Sequence, residues 1–220
     1  MIYVGMFVLG SILGYFYNFI GHKFPKKETN KTFDNYYSKI KNNIVPASLT
    51  GILFVLASLS FGFTLELIIA LTFISLLIIV VVSDYHYMII SDTILIIFSI
   101  ILVIEILFIS DTDILIKSLI DGIFAFGLMY GLKLLGDFIF KKESMGGGDI
   151  KLMFIIGLIL SFPMAMTTVF FASIIGLPIS LLLMKKNTEH IIPFGPFLAI
   201  AAIIILLLQI DLDFILNIYN

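Results

Sequence analysis

A chain of 220 residues that is 60% hydrophobic and only 13% charged has too little polar surface to cover a water-soluble domain. Its mean hydropathy of +1.16 points instead to a single membrane domain over residues 1–220. A net charge of −2 gives no basis for nucleic-acid binding, and the lack of cysteine excludes disulfides, cysteine-ligated zinc and a thiol nucleophile.

Apolar runs of membrane length fall at about 2–20, 46–63, 65–83, 92–109, 114–140, 150–161, 163–184 and 191–210. Crossing the hydrocarbon takes roughly 20 residues of helix, so these runs predict an all-α, polytopic fold of about eight transmembrane helices. The first run starts at Ile2 without a basic leading region or a small-residue cleavage site, and it reads as a retained span rather than a signal peptide. The fifth run contains Lys117, Asp121, Lys133 and Asp137, so its ends are expected to project into the interfaces. The sixth is short, and is expected to begin in the preceding glycines or to tilt towards Pro163.

No arginine is present, so lysine carries the whole positive-inside signal. Lys23, Lys26, Lys27, Lys31, Lys39 and Lys41 fill a short first loop over about residues 21–45. Lys141 and Lys142 precede the glycines, and Lys185 and Lys186 follow the seventh run. Glu66, Asp111, Asp113, Asp211 and Asp213 mark the opposite ends, with Lys117 as the exception. This bias places both termini outside and the odd-numbered loops in the cytoplasm.

The same layout puts two acids at one depth. Asp84 closes the third run and Asp149 opens the sixth, both just inside the cytoplasmic face. Two carboxylates in a poorly hydrated site cannot both ionise comfortably, so one serves as base and the other as acid. Such a pair can activate water for attack on a peptide carbonyl without a metal or a nucleophilic side chain. A negative charge at a helix C-terminus opposes the macrodipole, which favours a chemical role for Asp84 over that of a solvated interfacial acid. Asp92, beside Ser91 and ahead of a long apolar run, suits a helix N-cap.

Before Asp149 stand Gly146, Gly147 and Gly148. Glycines admit backbone conformations closed to other residues and let a substrate strand approach, although a plain flexible loop would look the same. Gly148 is expected at a positive φ. His22, His86 and His190 show no metal-ligand spacing and read as solvated loop residues, His86 alone lying close enough to Asp84 to influence its titration. No HExxH motif occurs, and no metal or other cofactor is expected.

Four motifs, in order, resemble those of type IV prepilin peptidases, the bacterial branch of the GxGD membrane aspartic proteases. Gly14-Tyr-Phe-Tyr-Asn18 with Lys23-Phe-Pro25 is similar to the family's first-span pattern, lysine replacing arginine. Asp84 and Asp92 match a D-x(7)-D pattern after the third span, and Met145–Leu152 (MGGGDIKL) matches the signature around the second catalytic aspartate. Pro193-Phe-Gly-Pro196 matches the motif that opens the last span.

The resemblance implies that Asp84 and Asp149 are the catalytic pair of a bacterial inner-membrane peptidase. It implies supporting roles for Gly146, Gly147, Gly148, Lys151, Asp92, Pro193 and Gly195. The implied substrates are prepilins or pseudopilins, whose basic leader is removed just before a hydrophobic helix embedded in the bilayer. Glu143 and the basic loops are candidates for placing that leader. Longer relatives carry two CxxC pairs in the first loop and methylate the product; here that loop has no cysteine, and Ala47-Ser48 stand where a glutamate is usual. N-methylation is therefore not expected. Two other classes share some of these features: an ion-coupled transporter, which would place acids near the midplane and often show inverted repeats, and a non-catalytic assembly protein, which would not need both acids. The substrate, the pathway and the oligomeric state are not encoded in any motif.

Overall fold

The computed structural model of the protein describes residues 1–29, 44–184 and 193–210. Among these the regular structure is helical: α1 (Ile2–Thr29), α2 (Ile44–Phe61), α3 (Glu66–Tyr87), α4 (Asp92–Ile109), α5 (Thr112–Phe140), α6 (Gly147–Leu160), α7 (Phe162–Met184) and α8 (Gly195–Leu208). Six of them are long and apolar enough to cross a membrane, and the chain is a polytopic membrane protein. The first helix continues through Pro25 to Thr29, well past its apolar run. Much of the basic first loop, residues 30–43, lies outside the described residues, as do Lys185, Lys186 and His190.

Two compact units divide the chain, Met1–Glu105 and Ile106–Asn220. In the first, α3 is the central element, with Phe73, Ile74, Leu76, Leu77 and Ile79 fully buried. Lipid tails are as apolar as leucine, so helices in a bilayer associate by close packing at small residues rather than by hydrophobic exclusion. Gly10 and Gly14, one turn apart on α1, meet the antiparallel α2. A Cβ on Gly10 would stand 2.9 Å from the Gly51 Cα, and one on Gly14 would stand 2.8 Å from the Ala47 Cα. Further along, a Cβ on Gly21 would lie 2.8 Å from Val82, which seats α1 against α3. The carboxylate of Glu105 on α4 accepts a 2.7 Å hydrogen bond from the Thr72 hydroxyl on α3, so this intramembrane acid is partnered.

The second unit repeats the device with α6 at its centre. Leu152, Met153, Ile155 and Ile156 of α6 are fully buried. Gly157 has no room for a side chain, since a Cβ would lie 2.6 Å from the Ala125 Cβ and 2.8 Å from the Asp121 carbonyl oxygen of α5. On the same interface a Cβ on Gly122 would meet the Phe154 carbonyl oxygen at 2.8 Å. Ser161 joins α6 to α7 with φ 71° and ψ 160°, and its carbonyl accepts the amide of Ala165. At 29 residues α5 rises about 43 Å and overshoots a hydrocarbon core of about 30 Å, whereas α6 at 14 residues rises about 21 Å and falls short of it.

Candidate active site

Asp84 stands in the last turn of α3. Its carbonyl oxygen accepts the amide of Met88, the left-handed C-cap at φ 54°, so the chain turns sharply just past it. The residue is 6% exposed, and buried polar neighbours in sequence or in the same unit include Asn18, His22, Ser83 and Ser91. Burial of this kind excludes the solvated interfacial acid considered from sequence.

The histidines need correction. His22 is buried on α1, not solvated in a loop. Its Nδ1 lies 3.0 Å from the Tyr87 hydroxyl, and its ring centroid is 4.8 Å from that of His86. His86 Nδ1 is 2.9 Å from the Val82 carbonyl oxygen, so that nitrogen carries the proton. The separation of 65 positions between His22 and Tyr87 hid this cluster from any spacing argument. His190 lies outside the described residues.

Asp149 occupies the first turn of α6 and is 8% exposed. Gly146 is the N-cap, with φ −67° and ψ 139°, and Gly147 and Gly148 are the first two helical residues. Gly148 is therefore helical, and the expectation of a positive φ there is wrong; Gly62 is the glycine with positive φ among the described residues. What the glycines supply is bareness. A Cβ on Gly147 would meet nothing within 4 Å, and one on Gly146 would meet only the Asp149 Oδ2, at 3.5 Å. The carboxylate thus folds back toward its own helix N-terminus, where the macrodipole favours negative charge. Lys151, two residues further along α6, is exposed.

The remaining candidates have structural surroundings. The carbonyl of Ser91 accepts the Leu95 amide, which makes Ser91 the capping position and places Asp92 in the first turn of α4 instead of at its cap. Pro193 precedes α8, Gly195 and Pro196 are buried at its start, and the Phe194 carbonyl accepts the amides of Phe197 and Leu198. Glu143 is ion-paired with Lys133 at 3.0 Å. Asp137 and Ser144, which no motif marks, hydrogen-bond around the end of α5. Among the described residues, no three His, Cys, Asp or Glu side chains are grouped to hold a metal ion.

These features define a class: an all-helical, polytopic membrane protein with a buried aspartate at one end of the central helix of each unit. A family profile described as "Type IV leader peptidase family" matches residues 71–181, which include both Asp84 and Asp149, and the chain belongs to that family. It is 35% identical over 159 residues to the prepilin leader peptidase/N-methyltransferase of Bacillus subtilis (strain 168), covering 71% of this chain and 62% of the relative. It is 32% identical over 163 residues to a protein of the same description from Legionella pneumophila, covering 71% of this chain and 55% of the relative. The chain thus spans less than two thirds of the length of either relative. No solved structure matches.

Proposed function

We propose that the protein is a membrane aspartic endopeptidase that removes the short basic leader from prepilins or pseudopilins. The observation that carries this reading is the burial of Asp84 and Asp149 at the ends of two core helices, both within the segment matched to the leader peptidase family. Asp84 ends a helix that begins with Glu66, and Asp149 begins one that follows Lys141 and Lys142. This reading takes both ends to face the cytoplasm, on the lysine bias of the sequence, and takes the membrane to be a bacterial inner membrane. A pilin-like substrate with its helix in the bilayer and its leader in the cytoplasm presents its scissile bond at that depth.

In this mechanism one carboxylate is ionised and the other protonated. The ionised carboxylate takes a proton from water as the oxygen attacks the scissile carbonyl, and the protonated partner donates to the departing amine. The bare face of Gly146 and Gly147 leaves room for the substrate backbone beside Asp149. The reading is confined to the peptidase step, because the cysteine module that the resemblance associates with the longer forms is absent from these 220 residues.

The test is leader removal by purified Asp84→Asn, Asp149→Asn and Asp92→Asn variants in proteoliposomes, scored by the mass of the mature product. Loss of ~10³-fold or more is expected for Asp84 and Asp149, the scale of general acid–base catalysis. Asp92→Asn should remain within about tenfold of wild type, since Asp92 is exposed and Asn is also compatible with a helix start. Near-normal cleavage by the Asp84 or the Asp149 variant would remove that residue from the mechanism.

A further inference from the structure

The glycines that open α6 are reached through a loop that turns back onto the end of α5. Lys141 ends α5 in a left-handed conformation, φ 53°, and the chain reverses. Ser144 then donates its backbone amide to Asp137 Oδ1 at 2.6 Å, and its hydroxyl lies 2.8 Å from the same oxygen. That hydroxyl is also 3.2 Å from the Lys133 carbonyl oxygen. Lys133 Nζ reaches Glu143 Oε1 at 3.0 Å and Asp137 Oδ2 at 3.8 Å, tying the loop to the helix a second time. Gly136 forms the seat: a Cβ there would stand 2.6 Å from Ser144 Oγ and 2.8 Å from Ser144 Cβ. Two residues further along is Gly146, the N-cap of the helix that carries Asp149.

We propose that Asp137, with Lys133 and Glu143, is a positioning residue for Asp149, acting by holding Ser144 in the Gly136 seat. The inference rests on the reading of Asp149 as catalytic. The glycine run has no side chains with which to fix itself, as the open space around a Gly147 Cβ shows. Its restraint comes instead from Ser144, whose amide bond to a carboxylate is short and charge-assisted. Exposed ion pairs add little to global stability, so the clasp matters for where the first turn of α6 sits more than for whether the chain folds. A reacting group displaced by about 1 Å can lose on the order of 10²-fold in rate.

The absence of cysteine makes the test direct. A single Met145→Cys substitution carries a spin label beside the glycines, and kcat and KM for a prepilin substrate are measured in parallel in unlabelled proteins. Gly136→Ala should push Ser144 out of its seat, raise label mobility, and lower kcat by about 10–100-fold with KM little changed. Adding Ser144→Gly removes the obstructing atoms while keeping the amide bond to Asp137, and should restore both readouts. Asp137→Ala should behave like Gly136→Ala, whereas Asp137→Asn, which keeps an acceptor, should stay within about threefold of wild type. Unchanged label mobility in Gly136→Ala and Asp137→Ala would overturn the clasp itself. Raised mobility with unchanged kcat would overturn its positioning role. Full activity of Asp149→Asn would instead defeat the catalytic reading, and it would do so whatever the label reports.

Discussion

His22 Nδ1 and the Tyr87 hydroxyl lie 3.0 Å apart, joining α1 to the last residue of α3 three positions beyond Asp84. The bond fixes the helix end from which Asp84 projects. Tyr87→Phe keeps the ring and deletes the hydroxyl. The expected loss is about 0.6–1.5 kcal/mol, the range for an interhelical bond in a membrane protein up to an ordinary hydrogen bond. Thermal unfolding in detergent measures it, and a transition identical to wild type would show that the contact contributes nothing to stability.

The α5–α6 interface should be intolerant at one glycine and indifferent at another. Gly157→Val forces atoms into Ala125 and the Asp121 carbonyl and should destabilise by about 1–3 kcal/mol. A Cβ on Gly127 meets nothing within 4 Å, so Gly127→Ala should be neutral or stabilising by up to about 1 kcal/mol. Equal effects of the two substitutions on unfolding would contradict the packing described for α6.

Gly147→Ala separates folding from substrate access. The added methyl group has open space and sits at a helical position, so unfolding should occur no earlier than in wild type. Cleavage should nevertheless fall, because the methyl occupies the bare face beside Asp149. A variant both stable and fully active would mean that the substrate does not pass there.

Ser161 holds φ 71° with ψ 160°, a region populated almost only by glycine at a cost of about 1–3 kcal/mol. Ser161→Gly should therefore raise stability by about 1 kcal/mol after the larger entropy of its unfolded chain is subtracted. Ser161→Ala should give no such gain. A stabilisation seen with Ala as well as Gly would point to a side-chain effect rather than to the backbone.

The processed substrate should carry no added methyl group. Both relatives are described as N-methyltransferases as well as leader peptidases, but a closed structural zinc site draws on four Cys or His ligands and this sequence offers three histidines and no cysteine. Mass spectrometry of a pilin processed by this protein in the absence of other methyltransferases decides it. A product heavier by one methyl at its new N-terminus would show that methylation does not need the cysteine module.

Much of the helical layout was legible in the order of residues. The apolar run at 92–109 is α4, Asp92–Ile109, and the short sixth run begins in the glycines. A bilayer offers the backbone no water, so each span must satisfy its amides within one helix and its length is written locally. The two acids were marked in the same way, as charges at the boundary of hydrocarbon. Other features depended on partners distant in sequence. Gly148 could have taken either sign of φ, and it is helical because Gly146 caps the helix. His22 gave no sign of Tyr87, nor Gly136 of the Ser144 that fills its missing side chain. A glycine, a lone histidine and a serine each admit many surroundings. Only the packing of one helix on another, or of a loop on the helix before it, selects one of them.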